Sequence, residues 1–127
     1  MSAKWLKKSA IQGNASAQTS LGYLYDKGQG VKKDHAEAIR LYRLAANQGY
    51  AIAQRNLGFS YKEGKGVKKD PTYSLMWFFL AGTDEYEKSQ GISFKEQENI
   101  MKNLEQEEIK KAKEMTTECF KKIFIDC

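Results

Sequence analysis

The chain has 127 residues, with 21 Lys and Arg against 16 Asp and Glu, and a formal net charge of +5. Two cysteines and one histidine are too few for a disulfide framework or a histidine-rich metal cluster. No apolar run approaches the roughly 18–20 residues that span a bilayer. The first ten residues carry three lysines but no apolar core, which predicts that this chain has no signal peptide.

An internal repeat organises the sequence. The segment 13–18 (GNASAQ) returns as 49–54 (GYAIAQ), and the segment 28–34 (GQGVKKD) returns as 64–70 (GKGVKKD). Both pairs share one offset of 36 positions, because 49 − 13 and 64 − 28 both equal 36. A fixed period of this size predicts a repeat architecture rather than a single compact fold.

Each unit predicts two helices with marked ends. Gly28 and Gly64 follow apolar positions at helical spacing, and glycine suits a C-cap that needs a positive φ. Asp34 and Asp70 suit the N-cap of the second helix. Pro71 would stand at the first helical position, where its missing N–H costs nothing. We expect four aromatic side chains to serve packing, namely Trp5, Tyr25, Tyr61 and Trp77.

The pattern predicts an all-α fold, a right-handed α-solenoid of antiparallel helix pairs in 36-residue repeats. We place a partial repeat with a second helix only at 1–12, repeat one at 13–48, repeat two at 49–84 and a C-terminal helical cap at 85–127. A start inside a unit leaves two alternatives, a protein that is short by nature and a fragment of a longer array.

The motif Ala-x-x-Gln-Gly-x-x-x-Ala-Gln-x-x-Leu-Gly-x-x-Tyr-x-x-Gly-x-Gly-Val-x-x-Asp is matched by residues 45–70 and, with some erosion, by 10–34. It resembles the Sel-one-like repeat family, bacterial relatives of the tetratricopeptide repeat, over residues 1–84. The resemblance implies a protein-interaction scaffold used in adaptor, envelope or host-interaction roles. A small member of the family could also be an immunity protein that neutralises a toxin.

The C-terminal segment is expected to cap the array. Ser93 and Glu96 have the spacing of a capping box at a helix start. A later helix would bury Ala112 and Cys119 on one stripe. If Cys119 and Cys127 were both helical, they would stand about 12 Å apart, so we expect free thiols.

The sequence predicts no catalytic residue, no metal site and no cofactor. His35, the single histidine, follows a helix cap and is expected in solvent. The glycine loops complete no phosphate-binding fingerprint and are explained by helix termination. We therefore predict a non-enzymatic protein, with a small hydrolase as the alternative from another class.

A concave binding face is predicted on the first helices of the repeats, at positions that packing does not use. An arginine with aromatic rings on such a face is typical of an interaction hot spot. The alternative is that the rings are partly buried between neighbouring helices. The predicted residues are Thr19, Tyr23, Lys27, Arg55, Phe59 and Lys62.

A basic edge is predicted on the loops between the helices. Residues 1–84 carry 13 basic and 6 acidic residues, a net charge of +7, and residues 85–127 carry 8 and 10, a net charge of −2. Such an edge favours an acidic protein or peptide partner or an anionic surface. Without a recognition helix or paired arginines it does not point to nucleic acid. The edge consists of Lys32, Lys33, Lys65, Lys68 and Lys69.

The sequence thus predicts an adaptor or scaffold that binds a protein or peptide on its concave face and does not insert into a membrane. The alternative within the same class is an immunity protein whose partner is a toxin. Unpaired cysteines and the missing leader favour the cytoplasm, or the periplasm or exterior if a leader has been removed. The oligomeric state is left open.

Overall fold

The computed structural model describes residues 3–122 and Cys127, and within this part of the chain it contains helices and no strand. The all-α prediction is confirmed. The eight helices are α1 (Ala3–Ile11), α2 (Ala15–Lys27), α3 (His35–Ala46), α4 (Ala51–Glu63), α5 (Pro71–Ala81), α6 (Glu85–Gln90), α7 (Ile92–Met101) and α8 (Gln106–Lys121).

The helix ends lie where the repeat predicts them. Gly28 and Gly64 terminate α2 and α4 with φ of 69° and 74°, a conformation that favours glycine. Asp34 and Asp70 cap α3 and α5, each accepting a hydrogen bond from a backbone N–H of the first turn. Pro71 is the first residue of α5.

The helices stack as an α-solenoid. α2 pairs with α3 and α4 pairs with α5, while α1 packs on α2 and α3 packs on α4. The predicted boundaries 13–48 and 49–84 each enclose one such pair, and α1 stands in the place of a second helix.

Small residues let the paired helices approach closely. A Cβ at Gly22 would lie 2.7 Å from Cε1 of Tyr42, and a Cβ at Gly58 would lie 2.8 Å from the ring of Phe78. The two contacts are equivalent, 36 residues apart. Each aromatic ring therefore occupies the space that a side chain would need at the glycine.

Two buried glutamines join successive helix pairs. The side-chain amide of Gln18 donates to the carbonyl oxygen of Ala10 at 3.1 Å, and that of Gln54 donates to Ala46 at 3.3 Å. Each amide satisfies a carbonyl in the last turn of the preceding helix, one of the groups that a helix end leaves without an intrahelical partner. The glutamine of the repeat motif is therefore a structural residue.

The aromatic packing prediction is confirmed for Trp77 and Tyr61, which are buried, and Tyr25 is half-buried against the core. For Trp5 the prediction is wrong, since its side chain is 61% exposed. Leu41 and Trp77 share its repeat position and are buried because a helix lies on both sides of α3 and α5. α1 has a described neighbour on one side only, α2.

The cap departs from the repeat geometry. α7 and α8 both pack on α5 and make few contacts with each other, unlike α2 with α3. The predicted capping box at Ser93 is wrong, because α7 is already capped by Gly91 and Ser93 is buried inside it. A capping box does occur at the start of α8, between Glu105 and Glu108.

The two cysteines form a disulfide, so the expectation of free thiols is wrong. α8 ends at Lys121, which leaves Cys127 outside the helix, and the Cα atoms of Cys119 and Cys127 are 5.4 Å apart. Cys119 is buried in the main core cluster. The carbonyl oxygen of Cys127 accepts a hydrogen bond from the hydroxyl of Tyr73 on α5. The disulfide therefore fixes residue 127 against the second helix of repeat two.

Candidate interaction groove

A groove runs between α2 and α4, the first helices of the two complete repeats. It contains a larger cavity of about 540 Å³ beside the first halves of the helices and a smaller one of about 150 Å³ beside their last halves. Tyr23 and Asn56 line both cavities, so the two are adjacent. The surface between α2 and α4 is therefore a depression, and its use by a partner stays a prediction.

The predicted residues of α2 differ in their exposure. Tyr23 is 47% exposed, and Lys27 places its ammonium 5.8 Å from the centre of the Tyr23 ring, at the distance of a cation–π contact. Thr19 also lines the larger cavity, but it is buried and its hydroxyl donates to the carbonyl oxygen of Ala15. Tyr23 and Lys27 are available to a partner, whereas the hydrogen-bonding capacity of Thr19 is already used.

Two of the predicted residues of α4 are engaged by the cap and the third by α5. Arg55 forms an ion pair with Glu87 of α6, and Lys62 forms one with Glu96 of α7, at 2.8 Å and 2.5 Å. Phe59 is half-buried and packs edge-on against Phe78 with ring centres 5.1 Å apart. These contacts close the surface between α4 and the cap and leave the surface between α2 and α4 open.

Several groove residues lie outside the predicted set, and two of them, Asn56 and Tyr42, carry polar groups that line the smaller cavity. Asn56 stands three positions before Phe59 on the same helical face, and this spacing could have identified it. Tyr42 belongs to α3, a second helix, and reaches the smaller cavity from behind. Tyr42 forms the floor of this cavity only because α2 and α4 are far enough apart for its side chain to line it. The sequence pattern does not specify that distance.

Charged groups surround the smaller cavity in pairs. Nδ1 of His35 lies 2.7 Å from a carboxylate oxygen of Asp26, so the histidine is half-buried in a contact rather than free in solvent as predicted. Glu63 pairs with Lys65 at 2.9 Å, and the hydrogen bond to this carboxylate raises the pKa of Lys65. The two carboxylates at the mouth are thus each matched by a basic side chain.

The lysines of the predicted basic edge lie on the loops that follow α2 and α4. All five of these lysines are exposed, and Lys65 pairs with Glu63.

Among the residues that the structure describes, no group of three or more His, Cys, Asp or Glu side chains could hold a metal ion. Across 3–122 and 127, none of the helices has the length and apolar character needed to cross a bilayer.

Comparison with known proteins identifies the repeat. The sequence model of the Sel1 repeat matches residues 1–14, 15–50 and 51–86. Its second and third matches begin two residues later than the repeats that we defined from the sequence. A comparison with curated proteins found no match.

Two solved structures are similar to the chain. A protective antigen of uropathogenic Escherichia coli that displays an SLR fold aligns with a TM-score of 0.88 and 28% identity, over 96% of this chain and 26% of the antigen. A Sel1 repeat protein from Oxalobacter formigenes aligns with a TM-score of 0.61 and 40% identity, over 64% of this chain and 32% of that protein. The chain therefore spans about a quarter to a third of the length of these structures.

Sel1 repeat proteins are generally protein-interaction modules rather than catalysts. The repeat matches, together covering residues 1–86, and the solenoid of paired helices agree with each other. The chain belongs to the Sel1 repeat family.

Proposed function

We propose that this chain is an adaptor module that binds a segment of another protein in the groove between α2 and α4. The observation that carries the proposal is the exposed ring of Tyr23, which lines two adjacent cavities. Tyrosine and arginine are the residues most often found at the energetic centre of protein interfaces. Arg55 lines the larger cavity while its guanidinium is held by Glu87, so its remaining N–H groups are already oriented.

An acidic partner segment fits the charge of the surface. The lysines of the basic edge lie on the loops that follow α2 and α4, at the end of the groove beside the smaller cavity. Residues 1–84 carry a net charge of +7, from 13 basic and 6 acidic residues. Such a field would speed the association of an acidic segment and make the rate fall with added salt.

The proposal is tested by comparing two tyrosine variants in affinity capture from the native source. Tyr23→Ala removes the exposed ring of the groove, and Tyr86→Ala is the matched control, since Tyr86 is 59% exposed on α6 outside the groove. We expect a captured partner that Tyr23→Ala loses and Tyr86→Ala keeps. With the purified partner, Tyr23→Ala should raise Kd by about 10–30-fold, the range of a hot-spot side chain.

The proposal fails if every specifically captured protein binds the folded Tyr23→Ala variant as tightly as the unsubstituted protein. Circular dichroism and a thermal melt establish that the variant is folded. A partner lost with Tyr86→Ala but kept with Tyr23→Ala would move the binding site to the cap.

We further propose that the chain functions in an oxidising compartment, the periplasm or the cell exterior. The expectation of a cytoplasmic protein depended on unpaired cysteines, and the disulfide between Cys119 and Cys127 removes that support. Acid trapping of cells followed by alkylation and mass spectrometry tests this. Cysteines that are alkylated without prior reduction would contradict the proposal.

A further inference from the structure

The smaller cavity of the groove has a polar group at its floor that the protein does not satisfy. Tyr42 is 2% exposed, and its ring is packed against Gly22, yet it lines the cavity. Within the described part of the chain, its hydroxyl makes no hydrogen bond. The hydroxyl faces the open cavity rather than a protein partner, so this donor is available to a group that enters the cavity.

The equivalent position in the next repeat shows what packing alone requires. Phe78 stands 36 residues after Tyr42 and fills the same space against Gly58. It is fully buried, and the surface above it is closed by the contact with Phe59 and by the ion pairs to the cap. A phenyl ring is therefore sufficient where the groove is closed, and the hydroxyl occurs where the groove is open.

Asn56 provides a second unsatisfied polar group on the wall of the cavity. Its side chain is half-buried, and its carboxamide makes no hydrogen bond to the described residues. Only its backbone carbonyl is engaged, by the hydroxyl of Ser60 at 3.0 Å. A free carboxamide offers two donors and one acceptor, which complement those of another amide.

The charges at the cavity balance. Asp26 and Glu63 contribute two negative charges, and Lys27 and Lys65 contribute two positive charges. Glu63 and Lys65 already pair with each other, and Asp26 is in contact with His35. Lys27 lies against the Tyr23 ring rather than in an ion pair, so it is the one lysine of this lining without a carboxylate partner among the described residues. Because the four lining charges sum to zero, the cavity as a whole favours neither an anion nor a cation. An uncharged polar side chain therefore loses less hydration on entering it than a charged one.

The size of the cavity selects a side chain rather than a free ligand. Its volume of about 150 Å³ is below the roughly 300–1,000 Å³ of pockets that hold small-molecule ligands. The rings of Tyr23 and Phe59 form apolar walls against which the methylene groups of a side chain can pack. An amide at the end of a short apolar stem matches both the walls and the floor.

We infer that the smaller cavity is a specificity pocket for a carboxamide side chain, glutamine or asparagine, of the bound segment. The inference rests on the proposed function, because the side chain belongs to the segment held between α2 and α4. The Tyr42 hydroxyl donates to the carboxamide oxygen, and the Asn56 carboxamide exchanges hydrogen bonds with its N–H₂ group. The acidic residues proposed for the segment contact the lysines of the basic edge, outside this pocket.

The pocket is tested without the partner by an NMR titration of isotope-labelled protein with three probes of one size. Propionamide represents the glutamine side chain, propionate the carboxylate analogue and propylamine the cationic analogue, each added to tens of millimolar. We expect propionamide to shift the Asn56 side-chain amide and the Tyr42 ring signals. Tyr42→Phe should weaken this binding about 5-fold, the loss expected from one hydrogen bond. Asn56→Ala should weaken it as well.

Tyr42→Phe is expected to fold, because phenylalanine occupies the equivalent position 78. The inference is overturned if no probe shifts these signals, if propionate or propylamine shifts them as strongly as propionamide, or if neither variant weakens propionamide binding.

The pocket and the adaptor function can be refuted independently of each other. A partner that depends on Tyr23 but is insensitive to Tyr42→Phe and Asn56→Ala retains the groove and refutes the pocket. Propionamide binding without any Tyr23-dependent partner retains the pocket chemistry and refutes the adaptor function.

Discussion

Nη1 of Arg55 on α4 lies 2.8 Å from Oε1 of Glu87 on α6, and the Glu87 side chain is completely buried. Its second carboxylate oxygen accepts a hydrogen bond from the hydroxyl of Ser93 on α7 at 3.1 Å. One buried carboxylate thus joins the first helix of repeat two to both short helices of the cap.

We expect Arg55→Ala to lower the free energy of unfolding by about 3–5 kcal/mol, because it leaves the Glu87 carboxylate buried without its counter-charge. Lys62→Ala on the same helix is the matched control. Its side chain is 39% exposed in the pair with Glu96, so the loss should be at most about 1 kcal/mol. Urea unfolding of both variants measures the difference.

Equal losses for the two variants would contradict the structural role of Arg55. The expected result also limits how Arg55 can be used as a probe of partner binding. A variant that loses the partner could have lost the docking of the cap instead, which is why Tyr23 is the better probe of the groove.

The repeat period predicted most of the fold because the same local signals occur twice. Gly28 and Gly64, like Asp34 and Asp70, mark helix ends through backbone chemistry that acts within a few residues. Signals of this kind are readable in a single sequence. They place every helix of the two complete repeats.

The cap and the pairing of groove residues could not be predicted in the same way. Glu87 and Arg55 are 32 positions apart, outside the repeat period, and the pair exists only because α6 interrupts the pattern. The disulfide differs from the prediction for a similar reason. The predicted distance between Cys119 and Cys127 applies only if the helix continues through residue 127. Long-range contacts of non-repeating segments leave no periodic signal in the sequence.

Removal of the disulfide should destabilise the protein. Closing a loop between residues eight positions apart restricts the unfolded chain, which corresponds to about 2–3 kcal/mol of stability. We expect this loss in urea unfolding of the Cys119→Ser/Cys127→Ser variant. Reductant should lower the stability of the unsubstituted protein by a similar amount and leave the variant unchanged. An unfolding midpoint that is the same with and without reductant would contradict the prediction.

Gly58→Ala should lower the free energy of unfolding by about 1–3 kcal/mol, the usual cost of overpacking a core. The new methyl group would lie 2.8 Å from the Phe78 ring, which is fully buried and has no space to move into. Combining Gly58→Ala with Phe78→Leu should recover part of the loss relative to the sum of the single changes. Purely additive losses, measured by thermal unfolding, would show that the ring contact is not the cause.

Stability should fall at alkaline pH in a way that depends on Tyr42. Burial, aided by the Asp26 carboxylate and by Tyr23, raises the pKa of the Tyr42 hydroxyl far above its usual value. Above about pH 10 the unfolded chain releases this proton and the native protein retains it, so the contribution is complete below pH 10 and decreases as the pH rises. The free energy of unfolding falls by at most about 1.4 kcal/mol per pH unit for one group.

Urea unfolding from neutral to alkaline pH should therefore show a shallower decline in the free energy of unfolding for Tyr42→Phe than for the unsubstituted protein. Tyr86→Phe, which removes the hydroxyl of an exposed ring on α6, should keep the original decline, and identical slopes for all three proteins would contradict the prediction.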